Sequence, residues 1–192
     1  MNARRKERIL ESASRLFAEQ RFDEVLMEDI ARAAGVGKGT LYRYFRDKEE
    51  LYSAVVFAGL ADLKEQLGSR LAAAADPVEK LETALRAIVV FLGNKRFFFR
   101  LMAREDSKVG RRKDEYWRRW RQERGELVSG IAEILQSGAA EGLFEIRHLN
   151  TEAQLLLGMV RSALRFNEDK LNAEEMVAEI LRIFLGGIRK RS

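Results

Sequence analysis

Lys38, Gly39 and Thr40 stand together at the head of a segment that continues as Leu41-Tyr42-Arg43-Tyr44, and Lys48 follows after a short break. A helix that opens on Lys-Gly-Thr places side chains and backbone N–H groups where phosphates and base edges can meet them. Gly39 lets the backbone come close to such a partner. Tyr42, Arg43 and Tyr44 extend the same element, and the Arg43 guanidinium suits guanine edges. Lys48, at the start of the next helix, is placed for a phosphate. Arg4, Arg5 and Lys6 form a basic N-terminus that can reach along an adjacent backbone or minor groove. This is the chemistry of duplex recognition, not of bond-making. The competing interpretation is that three short helices cap a bundle, with Tyr42 and Phe45 as core aromatics. A helix that needs only a buried face, however, has no use for Lys-Gly-Thr at its start.

The composition removes other chemistries. The 192 residues include no Cys and a single His, His148, so zinc fingers, disulfide scaffolds, Cys nucleophiles and His-rich metal sites cannot be built. No metal or cofactor is expected. His148 lies in a Gly-flanked loop with no fixed partner, Glu174-Glu175 is explained by helix capping, and Gly186-Gly187 is too short to cradle a phosphate. The chain therefore reads as a non-enzyme. No run of 18 apolar residues exists, no signal-peptide core follows the basic N-terminus, and the cytoplasm is the expected location. Net charge is +5, but it is uneven: residues 95–125 carry 12 basic and 5 acidic side chains. Within that stretch Arg111-Arg112-Lys113 is either a binding patch or a solvated face.

One Pro and 14 Gly in a highly charged chain point to an all-α fold. Ile9, Ala13, Leu16 and Phe17 define a helix over 3–20. Ile30, Ala31 and Ala34 supply the buried face of a short helix at 27–34, which Gly35 stops. Lys38 to Tyr44 is a third helix. Asp47 and Glu50 form a capping box for a fourth, from Lys48 to about Ala73. Asp76-Pro77-Val78-Glu79 starts a fifth that runs to about Leu92. Gly93-Asn94 turns the chain into a Phe-rich helix over 95–105, and a polar loop at 107–110 leads to a long helix from Arg112 to Ser137. Gly138 and Gly142 mark a loop. Asn150 caps a helix to Phe166, and Asn172 with Glu175 caps the last, 173–189. The total is about nine helices. They divide into a helix-turn-helix domain, 1–47, and a larger helical domain, 48–192, for ligand sensing and dimerisation.

The run Met27-Glu28-Asp29-Ile30-Ala31-Arg32-Ala33-Ala34-Gly35-Val36-Gly37-Lys38-Gly39-Thr40-Leu41-Tyr42-Arg43-Tyr44-Phe45-Arg46-Asp47-Lys48-Glu49-Glu50-Leu51 resembles the DNA-binding signature of the TetR family of bacterial transcriptional regulators. The resemblance covers about residues 5–52. It implies a homodimer, most simply a repressor, that places one recognition helix in each half of a palindromic double-stranded operator. A small-molecule effector of unknown identity then releases the DNA. By the same resemblance Lys38, Gly39, Thr40, Tyr42 and Tyr44 make the recognition contacts and Lys48 holds a phosphate. Three places depart from the family pattern. Arg21 stands where Gly is common, Val25 and Leu26 where Thr or Ser caps the second helix, and Gly37 where Ser precedes the third. Val25, Leu26 and Gly37 keep an alternative open, in which the chain is a ligand- or protein-binding helical dimer with a degenerate DNA-reading head.

The remainder shows two features. The last two helices carry more apolar surface than one packing partner requires, and the resemblance implies that they pair with a second copy, through Leu156, Val160, Leu164, Val177, Ile180, Phe184 and Ile188. The second feature is a set of aromatic and Met side chains that could line a ligand pocket: Phe91, Phe98, Met102, Trp117, Trp120, Met159 and Phe166. Phe97-Phe98-Phe99 cannot all enter one core, because successive helical residues diverge by about 100°. The basic surplus over 95–125 suits an anionic or acyl-type ligand.

Overall fold

The computed structural model describes residues 2–72, 74–106 and 115–188, and every element among them is helical. The order is α1 (Asn2–Glu19), α2 (Met27–Ala33), α3 (Lys38–Tyr44), α4 (Lys48–Leu71), α5 (Pro77–Asn94), α6 (Arg96–Asp106), α7 (Glu115–Ala140), α8 (Leu149–Arg165) and α9 (Ala173–Ile188). Ala73, the loop expected at 107–110, the Arg111-Arg112-Lys113 run and residue 189 lie outside the described residues.

The capping chemistry explains most of the boundaries. Asp47 Oδ1 accepts from the Glu50 amide at 2.8 Å while Glu50 reaches back to the Arg46 amide at 2.8 Å. Asp76 Oδ1 takes the Val78 and Glu79 amides, and Glu79 takes that of Ala75. Asn172 and Glu175 exchange the same pair of bonds ahead of α9. Each arrangement satisfies donors that a helix start leaves without intrahelical partners.

Three boundaries differ from the sequence reading. Gly93 and Asn94 do not turn the chain; they finish α5, and Lys95 alone separates it from α6. Their helix penalty, about 1 kcal/mol for Gly, is small enough for packing to override. Gly138 is likewise helical, within α7, and the Phe144 ring takes the space a Cβ there would need. Asn150 is not a cap. α8 starts one residue earlier, and the Glu152 carboxylate takes the Arg147 and His148 amides at 2.9 and 3.0 Å.

Packing gathers the chain into two compact units, one of residues 1–61 with 95–120, the other of 62–94 with 121–192. In the first, α1 packs against α2 and α6, and α2 against α3. Phe17, Phe22 and Tyr52 form an aromatic cluster with centroids 5.0–5.8 Å apart, closing α1 onto the start of α4. Of the three consecutive phenylalanines, only Phe98 is fully buried, its ring seated in the notch left by Gly59; Phe97 and Phe99 are half-buried. In the second unit α5 packs against α8 and α9, and α8 against α9, around Leu81, Leu85, Ile88, Leu156, Val160, Val177 and Ile180.

Two glycines of α4 should therefore respond oppositely to the same change. Gly59→Ala drives a methyl into the Phe98 ring and should lower unfolding free energy by about 1–3 kcal/mol. Gly68→Ala meets only open space and should raise it by about 0.5–1 kcal/mol. Chemical denaturation of both variants tests this.

Candidate DNA-reading face

The angle between α2 and α3 follows from the end of α2. The Val36 amide donates to the Ala31 carbonyl at 2.9 Å and the Gly35 amide to Arg32 at 3.1 Å, the paired bonds of a Schellman motif. Gly35 takes φ +62°, a region that disfavours any side chain. Arg8 of α1 donates to the Ala34 and Gly35 carbonyls at 2.5 and 3.2 Å, placing positive charge at the negative end of α2. A Cβ on Gly35 would come within 2.8 Å of that guanidinium.

From this turn α3 runs with Leu41 fully buried, and Phe45 just past its end also inside. That leaves Lys38, Gly39, Tyr42 and Arg43 exposed, with Thr40 and Tyr44 half-buried. Tyr42 is 42% exposed and so is not the core aromatic that a plain capping bundle would need. Nothing lies within 4 Å of a Cβ on Gly39 or Gly37. The missing side-chain caps read from the sequence are real: neither Leu26 at the start of α2 nor Gly37 at the start of α3 makes one.

Two lysines are engaged within the chain. The Lys38 ammonium sits 2.5 Å from Glu28 of α2 and 5.9 Å from the Tyr42 ring centroid. The hydrogen bond to Glu28 holds Lys38 above its ordinary pKa, and the same bond is the largest cause that lowers Glu28. Lys48, expected at a phosphate, donates to the Val25 carbonyl at 2.9 Å and to Asp23 at 3.3 Å, and lies 4.6 Å from the Phe22 ring centroid. It holds the α1–α2 loop where the absent Thr or Ser cap would have helped.

Residues of α6 support this head from behind. Arg104 donates to the Phe17 carbonyl at 2.8 Å and to Gln20 at 3.3 Å, covering the C-terminal end of α1. Glu105, fully buried, accepts from the Tyr52 hydroxyl at 2.6 Å. Sequence reasoning missed Arg8, Glu28 and Glu105 as positioning groups. Their partners lie 26, 10 and 53 positions away, in other helices or the turn after α2, and no local pattern marks them.

The other candidate residues divide between the two units. Phe98, Met102, Trp117 and Trp120 belong to the first, with Phe98 and both Trp buried and the Trp ring centroids 6.3 Å apart. Phe91, Met159 and Phe166 belong to the second; Phe91 is buried, Met159 half-buried and Phe166 63% exposed. Of the side chains expected to meet a second copy, Leu156, Val160, Val177, Ile180, Phe184 and Ile188 are buried within the chain itself, and Leu164 is half-buried. The apolar groups these helices leave outside are Leu155, 60% exposed, and Ile183, 52% exposed, with Gly186 and Gly187 also exposed.

A helix-turn-helix with an outward-facing third helix, followed by a larger helical region, is the architecture of a one-component DNA-binding regulator. Comparison with known proteins agrees. Residues 9–55 match the family model for bacterial regulatory proteins of the tetR family, and residues 74–188 match a tetracyclin repressor-like C-terminal domain. The chain belongs to the TetR family of helix-turn-helix, DNA-binding transcription regulators. It is 26% identical over 194 residues to YfiR, an uncharacterized HTH-type transcriptional regulator of Bacillus subtilis (strain 168), covering 95% of this chain and 90% of that one. Among solved structures, the ketosteroid transcriptional regulator KstR2 of Mycobacterium tuberculosis superposes with TM-score 0.80 at 23% identity, covering 100% of this chain and 97% of that one. AibR, solved with isovaleryl coenzyme A and operator DNA, gives TM-score 0.79 at 22% identity, covering 94% and 98%. At these identities the likeness to solved structures is one of fold.

The two departures at helix starts can be separated from the loop clamp. Gly37→Ser adds a capping hydroxyl in open space and should leave stability unchanged or raise it by a few tenths of a kcal/mol. Lys48→Ala strips two carbonyls of a charged donor and should lower it by about 1–3 kcal/mol without any DNA present. Thermal unfolding of the DNA-free variants reads both.

Proposed function

We propose that this protein is a cytoplasmic transcriptional repressor that binds a palindromic operator as a homodimer and leaves it when a small-molecule effector binds the C-terminal region. The carrying observation is the division of α3: Leu41 and Phe45 anchor it while Lys38, Gly39, Tyr42 and Arg43 face outward. Lys38 and Tyr42 then meet backbone and base edges, Arg43 reads a guanine, and Gly39 permits close approach. Thr40 and Tyr44 sit on the flanks of the same helix. The chain has no role as an enzyme in this reading.

The second copy docks on α8 and α9 through the side these helices leave open, with Leu155 and Ile183 as its apolar points and the exposed glycines allowing close approach. The buried residues named for that role from the sequence support the face from within. An effector acts only by binding one arrangement of the dimer better than the other. The complex of AibR with isovaleryl coenzyme A and operator DNA supports an acyl-type effector, as does the basic surplus at 95–125. Of the aromatic and Met side chains named from the sequence, Phe98, Met102, Trp117 and Trp120 share one unit and are the candidate lining there.

The uncapped starts of α2 and α3 favour a second reading, a helical dimer whose head no longer reads sequence. Selection of genomic DNA fragments by the purified protein at two salt concentrations separates the two. The repressor reading expects an enriched palindrome with half-sites one helical turn apart, about 34–36 Å, that survives the higher salt. Diffuse, salt-labile capture alone would favour the second reading. On the enriched fragment, Arg43→Ala should weaken binding about 5- to 150-fold and relax one base position. Leu155→Glu combined with Ile183→Glu should halve the mass measured by sedimentation while leaving helix content unchanged.

A further inference from the structure

We propose that Glu28 restrains Lys38 and thereby suppresses binding to DNA of the wrong sequence. This rests on the repressor reading and adds a specificity-determining residue to it. Lys38 is the first residue of α3 and an exposed cation of the reading face. Though exposed, its ammonium lies 2.5 Å from the Glu28 carboxylate and 5.9 Å from the Tyr42 ring centroid. Glu28 is on the first turn of α2, where the helix N-terminus favours a carboxylate, so the anion stays charged and in place. The depressed pKa of Glu28 and the raised pKa of Lys38 reflect the same contact.

The physical consequence differs between the two kinds of DNA. Binding to arbitrary sequence draws nearly all of its strength from phosphates neutralised by Lys and Arg. For Lys38 to take a phosphate it must leave Glu28, and the carboxylate left behind then faces the DNA as an uncompensated negative charge. The net electrostatic gain from that lysine is close to nothing. Binding to the operator draws in addition on base contacts by Arg43 and Tyr42, which Glu28 does not oppose. The pair also narrows the positions Lys38 can occupy, so the lysine serves the register in which α3 sits correctly and few others. Arg32, one turn along α2, lies 3.4 Å from Asp29, so the carboxylate beside Lys38 is that of Glu28.

The test uses the full-length protein, a mixed-sequence duplex and the duplex enriched by genomic selection, with affinities measured over a range of salt. Glu28→Gln should tighten binding to the mixed-sequence duplex about three- to tenfold. It should also steepen the salt dependence by about 0.9 in log–log slope, the increment for one more phosphate contact. Affinity for the enriched duplex should rise less, so the ratio between the two falls. In a Lys38→Gln background the Glu28→Gln gain should vanish, which a bare change of surface charge would not produce. An unchanged mixed-sequence affinity, or a gain that persists without Lys38, overturns the proposal while leaving the repressor reading intact. Failure of the unmutated protein to bind either duplex at low salt overturns the repressor reading itself. Glu28 is exposed, and thermal unfolding of each variant confirms that the comparison is between folded proteins.

Discussion

The reading face depends on the angle at which α3 leaves α2, and that angle is set at Gly35 by two crossed backbone bonds and the guanidinium of Arg8. The positive φ at Gly35 redirects the chain within two residues, and the Arg8 bonds to the Ala34 and Gly35 carbonyls tie the redirected segment to α1. Leu41 and Phe45 then have only one way to reach the interior, and the exposure of Lys38, Tyr42 and Arg43 follows from their spacing around a helix with 3.6 residues per turn. Each outward side chain is thus positioned by an inward one.

The same logic runs through the loop before α2. A Thr or Ser cap would have closed that helix start locally. Val25 instead goes fully inside, and Lys48 reaches from the next long helix to hold the loop carbonyls. A local capping bond is exchanged for a tertiary one, and a cation that could have met a phosphate is committed to the fold.

How much of this could be read in advance depended on range. The capping boxes at Asp47, Asp76 and Asn172, and the stop at Gly35, involve partners within a few residues, and they stand where the sequence puts them. The outward face of α3 was expected from Lys38, Gly39 and Thr40 at its head, but the inward anchor Leu41 was not singled out. Contacts that span the chain left no local trace. Glu105 meets Tyr52 across 53 positions, and Arg104 meets Phe17 across 87. On α8 and α9 the surplus of apolar residues was visible but its orientation was not. A helix apolar most of the way round does not specify which stripe turns inward, and the burial of Leu156 and Val177 beside the exposure of Leu155 and Ile183 is a rotation that only packing decides.

Phe98 in the notch of Gly59, the Glu105 carboxylate on Tyr52 and the Arg104 guanidinium on the end of α1 attach α6 through three side chains, by dispersion, a buried hydrogen bond and helix-end electrostatics. A joint fastened once can swivel and one fastened twice can hinge. Fastened through three side chains by unlike forces, its place rests on no single kind of interaction. To move α6 is therefore to break these contacts or to carry α1 and α4 along with it.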